Sequence, residues 1–394
     1  MDPLAAMLDL SAAEKLDRGL THTPDEIAQQ PQTWLGTFRL LKSRQSELQK
    51  FLTAAGVDGP LEQRPTVFLI GAGTSDYIGH SLHHLLRSKW QCEVIPVAST
   101  NLLTGFSEYL LQNKRYLWIS FSRSGDSPEG VAVLERALAE CPDIAQIVVS
   151  CNASGRMSRA IQGRENCLTI VLDDATNDRS LAMTSSFTNM VVAGQVLAHA
   201  WEMAEYETIL HPLVRAGKAL LPKAAELAAE LFQDGYTSAC FVGSGVLAGA
   251  AMECALKVLE LSAGNLQTFT QSTLALRHGP MAALHRDTLF VSLVSSQPQR
   301  RQYEVDLLRE IGFKELVRTR VALATSDPES LWADAEYVLA PDGFFEIPDL
   351  YRPVLDVIFG QLLGLFGALR FGLKPDVPSP NGVINRVVQN VDIY

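Results

Sequence analysis

Between Phe121 and the helical pattern GVAVLERALAE lies Ser122-Arg123-Ser124-Gly125-Asp126-Ser127-Pro128-Glu129, a strand-to-helix turn rich in hydroxyls. Such a turn can wrap a phosphate: backbone amides and the helix dipole face the anion, serine hydroxyls donate further bonds, and small side chains let the backbone come close. The same residues would also make an ordinary Ser/Gly turn capping a helix. A second small-residue turn, Gly71-Ala72-Gly73-Thr74-Ser75, follows an earlier apolar run. In a parallel sheet both turns emerge at the carboxyl edge, where ligands of open α/β sheets bind, and this favours the phosphate reading.

A different chemistry is written into AGAAMECALKVLELSAG. Its only charges, Glu253, Lys257 and Glu260, stand at i, i+4 and i+7 and so project from one face of an otherwise apolar helix. That face is either a solvated stripe holding one favourable Glu-to-Lys pair or a set of acid–base groups. Downstream, Arg277-His278-Gly279-Pro280 places a single histidine in a loop, by itself an ordinary structural position. His80, His83 and His84 share a predicted helix, and the one-turn spacing of His80 and His84 can hold a metal. With no acid completing the set, a helix-surface or interface role is expected and no metal.

The elements that must position these groups alternate between apolar runs and longer helical patterns, the signature of a parallel sheet wrapped by helices. Strands are expected at 67–70, 93–97, 116–121, 146–150 and 168–171, then at 239–242, 288–294, 321–324 and 337–340. The pattern is written twice. VFLIGAGTSDYIGHSLHHLL from Val67 has its counterpart in CFVGSGVLAGAAMECALKVL from Cys240, and LWISFSRSGDS from Leu117 in LFVSLVSSQPQ from Leu289, at nearly equal internal spacing. The expected fold is therefore α/β: two tandem doubly wound, flavodoxin-like parallel sheets over 50–205 and 215–375, joined near 211–222. A helical lead-in (1–49), with Thr23 as a helix cap, precedes them, and a tail (376–394) closes the site. In the second copy the phosphate turn has become Val294-Ser295-Ser296-Gln297-Pro298, without its glycine and with a proline removing a donor, so no phosphate is expected there.

Bulk properties narrow the functions. The 394 residues carry a net charge of -11, which disfavours a nucleic-acid partner. With 47% hydrophobic and 20% charged residues and no long uncharged apolar run, no membrane association is expected. An N-terminus lacking a secretory pattern points to a cytoplasmic protein, and the cysteines, mostly in apolar stretches and without a CxxC pair, read as reduced core residues. Gly71 and Gly73 begin a GxGxxG whose third glycine would fall at Asp76, and EVIPVA ends without a ribose-gripping acid, so a dinucleotide is disfavoured. No GxxxxGK[ST] occurs.

The SxSGxS turn, the upstream GTS turn and the doubled domain together resemble the sugar isomerase (SIS) superfamily. Glu26-Ile27-Ala28-Gln29-Gln30-Pro31 is similar to the EIxEQP entry to the isomerase half of glucosamine-6-phosphate synthase, LAMTSSFTNM (181–190) to its VASTKAFTTQ, and MECALKVLE to its ALEGALKLKE. NDRSLAMTSSFTNM and the ending NRVVQNVDIY most resemble the tagatose-6-phosphate ketose/aldose isomerase group, which includes galactosamine-6-phosphate deaminase/isomerases. The resemblance implies that Gly73, Thr74, Ser75, Ser122, Arg123, Ser124, Ser127 and Thr184 bind the sugar phosphate. It also implies that Glu260 is the enolisation base, with Lys257 beside it in the catalytic set, and that His278, in a segment matching KHGP, opens the sugar ring.

The implied reaction is D-galactosamine 6-phosphate plus water to D-tagatose 6-phosphate plus ammonia, without a cofactor. A plain hexose-6-phosphate isomerase and a non-catalytic sugar-phosphate sensor are the alternatives. The resemblance further implies at least a homodimer in which a neighbouring chain supplies the histidine. Two departures stand out. The synthase's C-terminal lysine is missing, the last lysine being Lys374 and the tail offering Asn385, Arg386 and Gln389. The chain also begins Met1-Asp2 with no N-terminal cysteine, so release of ammonia is expected in place of synthesis from glutamine.

Overall fold

Each apolar run expected to be a strand is one in the computed structural model, which describes residues 2–324, 331–344, 347–379, 381–388 and 391–394. The first sheet comprises β1 (Thr66–Gly71), β2 (Val94–Ala98), β3 (Tyr116–Ser122), β4 (Ala145–Ser150) and β5 (Cys167–Val171). The second comprises β6 (Ser238–Gly243), β7 (Gln267–Ser272), β8 (Thr288–Val294), β9 (Thr319–Ala324) and β10 (Tyr337–Leu339). All pairings are parallel. The orders are β2-β1-β3-β4-β5 and β7-β6-β8-β9-β10, the same flavodoxin-type winding twice. Central strands such as β1, β3 and β8 are buried throughout, as expected of a sheet covered on both faces.

The strand missing from the sequence reading is β7. Its residues, QTFTQS, are polar and only half-buried because it is an edge strand, so they lack the apolar signal. The junction expected near 211–222 lies inside one helix, Met203–Leu231, which contains both Pro212 and Pro222.

The chain divides into two discontinuous units. One contains the first sheet (Gln32–Asp178, Ser185–Thr208 and Ile384–Tyr394), the other the second sheet (Met1–Pro31, Arg179–Thr184 and Ile209–Val383). In the first, the helix Ser185–Ala198 is buried along its whole length. Asp178 caps it by accepting from the amides of Ser185 and Ser186 at 2.9 Å each. Gly194 lets the helix approach Leu82, whose Cδ1 would lie 2.2 Å from a Cβ placed there.

In the second unit the N-terminal segment is tied down from the far end of the chain. Thr23 is not the cap the sequence suggested: the helix Thr23–Ala28 starts one residue earlier, with His22 as its flanking residue. Its free amides are satisfied by the Asp376 carboxylate, which accepts from the N–H of Thr21 (2.7 Å), His22 (3.2 Å) and Thr23 (2.8 Å) and from the Thr23 hydroxyl (2.8 Å). Glu26 accepts from the amides of Arg179 and Ser180 and from the Ser180 hydroxyl, and Gln30 donates to Gln361 at 2.7 Å. The EIAQQP motif is thus a buried polar clasp within this unit.

Candidate active site

In the first sheet the direction of winding reverses between β1 and β3, and the two small-residue turns leave the carboxyl ends of those two strands. Gly73 adopts φ +56°, the left-handed region a side chain would strain, and the helix Thr74–Trp90 begins immediately after it. Thr74 and Ser75 fall in its first turn, both buried, and the Ser75 amide donates to the Ala72 carbonyl at 3.1 Å.

The turn after β3 is held open by its own hydrogen bonds. Ser122 Oγ accepts from the Gly125 amide at 3.0 Å, and Ser124 Oγ accepts from the Asp126 amide at 3.1 Å. A hydroxyl that accepts in this way keeps its proton to donate to an incoming anion. Ser127 Oγ donates to Glu129 at 3.0 Å, in the first turn of the helix Pro128–Glu140. Gly125, at φ +68°, also faces Gly155, whose Cα would stand 3.1 Å from an added Cβ. Arg123 is buried, and its Nη2 donates to the carbonyl of Arg386 at 2.8 Å.

That carbonyl belongs to the C-terminal tail, which the first unit holds firmly at this point. Arg386 Nε donates to the Asp178 carbonyl at 2.9 Å, and Nη2 donates to Asn177 Oδ1 at 2.6 Å. Asp178 is the cap of Ser185–Ala198, so the tail, the turn after β3 and that helix start form one hydrogen-bonded unit. Asn385 is exposed, and Gln389 lies outside the described residues.

Sequence reasoning missed further supports of the turn. Asn152 Nδ2 donates to the Ser124 carbonyl at 2.8 Å, and Ser150 Oγ donates to the Arg123 carbonyl at 3.3 Å. Ser150 ends β4, the neighbour of β3, and Asn152 follows it, and that placement was the available signal. At the corresponding end of β2, Ser99 is buried with its hydroxyl unpartnered.

The three charged groups Glu253, Lys257 and Glu260 lie in the second unit on the helix Val246–Leu261, which starts after Gly245 (φ +60°), a turn with nearly the geometry of Gly73. The solvated-stripe alternative is ruled out. Glu253 and Lys257 are fully buried, and only Glu260, with 24% of its side chain exposed, reaches solvent. Lys257 Nζ donates to Glu260 Oε2 and lies 3.6 Å from Glu253 Oε1. One buried ammonium therefore compensates two carboxylates, of which only Glu260 is accessible. The helix is buttressed by Pro353–Arg370, where a Cβ at Gly360 would come within 2.6 Å of Cys254 Cα and one at Gly364 within 2.8 Å of the Lys257 carbonyl.

His278 follows the edge strand β7 and is exposed. The Thr273 amide at the head of its segment bonds to the Gly243 carbonyl at 3.1 Å, so β6 and β7 together set where the loop begins. Thr184 is fully buried in the second unit, its carbonyl accepting from Gln361 at 3.5 Å. Of the histidine trio, His80 lies 3.7 Å from Asp76, while burial and the neighbouring His84 push His83 down to about 4, a neutral imidazole.

No protein-family model matches the chain. Over 379 residues, 95% of this chain and 96% of the relative, it is 34% identical to the D-galactosamine-6-phosphate deaminase AgaS of Escherichia coli O157:H7. Among solved structures, a Clostridium novyi NT protein provisionally named a tagatose-6-phosphate ketose/aldose isomerase matches with a TM-score of 0.89 at 26% identity, covering 98% of both chains. The tagatose-6-phosphate ketose/aldose isomerase of Escherichia coli matches at 0.83 and 30% identity, over 92% of this chain and 96% of that one. With that identity sustained along nearly its whole length, and with the twice-wound sheets and charged helix just described, the chain belongs to the AgaS family of double-SIS sugar-phosphate enzymes.

Proposed function

We propose that the protein converts D-galactosamine 6-phosphate and water to D-tagatose 6-phosphate and ammonia. The observation that carries this reading is the accessible Glu260 carboxylate held by a buried lysine, in a chain so similar to a named D-galactosamine-6-phosphate deaminase. Gly73, Thr74, Ser75, Ser122, Arg123, Ser124 and Ser127 hold the phosphate through amides and hydroxyls, and Thr184 is a further substrate-binding residue in this reading. A net charge of -11 makes such local donors necessary, since the overall field repels a phosphate.

His278 opens the pyranose, exposing the C1 aldehyde. Glu260 takes the C2 proton, the electrons of that bond pass through an enol-type intermediate, and the proton returns at C1. The product is a C2 imine, which water hydrolyses to the ketose and ammonia. The sugar's own carbonyl acidifies the C–H bond, so the reaction calls on no cofactor. Lys257 holds Glu260 in place. The working form is a homodimer or larger assembly of a cytoplasmic protein, with the exposed His278 supplied by a neighbouring copy.

A panel of galactosamine, glucosamine, galactose and glucose 6-phosphates, assayed for ammonia and ketose, tests the reading. Ammonia and tagatose 6-phosphate in equal amounts from the first substrate are expected. Ketose without ammonia from a hexose phosphate would make the protein a plain isomerase, and binding without turnover would make it a sensor.

A further inference from the structure

In the second sheet the winding reverses between β6 and β8, and the turn that leaves β8 there already holds an anion. Ser296 donates both its N–H and its hydroxyl to Asp349 Oδ1 at 2.8 Å each, and the Ser295 hydroxyl donates to Asp349 Oδ2. The Ser295 amide goes to Glu304 Oε2 at 2.6 Å. Two guanidiniums flank the same carboxylate, Arg352 at 3.6 Å and Arg300 at 3.8 Å. Asp349 is 2% exposed. A backbone amide just ahead of a helix, hydroxyls and arginines are donors a phosphate would use, and here a tethered carboxylate receives them.

Asp349 is also where the chain turns into a helix that matters. It opens the turn Asp349–Tyr351, directly before Pro353–Arg370. Arg352, wholly buried, donates to Asp356 at 2.8 Å and to the carbonyls of Val294 and Leu323, the ends of β8 and β9. Further along, Gly360 and Gly364 seat that helix against Cys254 and the carbonyl of Lys257. Close glycine seats of this kind tolerate little sliding.

We propose that the Ser295 and Ser296 turn is an anion site taken by the chain's own Asp349 carboxylate. This internal ligand fixes the register of Pro353–Arg370 against the helix bearing Lys257 and Glu260. Asp349 is then a positioning residue for proton transfer, and its tether gives it a local concentration no free anion matches.

Asp349→Ala removes the carboxylate and leaves a space that formate fits, so the test is chemical rescue of the full chain with formate against chloride at matched ionic strength. The expected variant melts lower by on the order of 10 °C, since a buried charge cluster has lost its anion. Its kcat falls with KM little changed, and formate, but not chloride, raises both Tm and kcat while leaving wild type unaffected. A folded variant on which formate acts no better than chloride overturns the proposal. Should Asp349→Ala fail to fold, the isosteric Asp349→Asn combined with Ser296→Ala in a urea-unfolding double-mutant cycle decides: strong coupling is expected, and additive effects overturn it. The kcat arm rests on the proposed function. The melting and unfolding arms need no turnover, so they stand or fall separately from it.

Discussion

Glu253→Gln and Glu260→Gln are the same chemical change two turns apart on one helix, and they should fail in opposite ways. Glu260 is 24% exposed and touches Lys257 from the solvent side. An amide there keeps an oxygen for the ammonium, so stability should fall by no more than about 1 kcal/mol. Turnover should fall by about 10²–10⁴-fold, the contribution of a positioned general base, or roughly 3–5 kcal/mol of barrier. Glu253 is wholly buried beside a lysine that is 1% exposed, and neutralising it removes a carboxylate 3.6 Å from that buried ammonium. There the loss should appear in stability, about 3–5 kcal/mol at most, with the surviving folded enzyme far less impaired in kcat. Ammonia release from D-galactosamine 6-phosphate gives kcat, urea unfolding gives stability, and calorimetry on Glu260→Gln shows whether substrate still binds. A Glu260→Gln enzyme within about tenfold of wild type would refute the base assignment. So would a pair of variants whose stability and turnover losses were interchanged.

Arg386→Ala should release the tail from Asn177 and Asp178 and leave the carbonyl that holds Arg123 unanchored; KM should rise about tenfold with a smaller effect on kcat, read from steady-state kinetics. If His278 comes from a neighbouring copy, mixing inactive Glu260→Gln and His278→Ala chains should restore about a quarter of wild-type activity, because half the dimers gain one intact site; no recovery in mixed dimers would place both groups in one chain. Burial raises Asp356 to about 6 against the opposing pull of Arg352. Its folded pKa lies above the unfolded value, so the stabilisation belongs to the protonated form and is lost as pH rises through about 6. The unfolding free energy of wild type minus that of Asp356→Asn should therefore fall between about pH 4 and 6 and then level off, as measured by urea titration.

Much of this was legible in the residues because local chemistry and fold agreed. The two G-x-G turns combine φ near +60° with ψ near −130°, a pairing that favours glycine, and the apolar runs of buried parallel strands are hard to mistake. What escaped notice was set by distant partners. β7 is polar because an edge strand buries little, yet it carries the loop of His278. Glu253 and Lys257 gave no sign of their burial, since a charged helical face reads the same whether water or the helix Pro353–Arg370 lies near it. The Ser295 turn looked merely degraded, because its ligand, Asp349, stands more than fifty residues away.

The Asp376 carboxylate has a consequence for how the chain comes into being. It caps amides of Thr21, His22 and Thr23, 353–355 residues earlier. During synthesis the first segment of the second unit must therefore wait, without this cap, while the whole first sheet is made. Closing so long a loop comes late and slowly, and until then the apolar side of that segment is open to chaperones and to other nascent chains. Ribosome-stalled chains ending before residue 376 should leave this N-terminal segment protease-sensitive after the first sheet has become resistant.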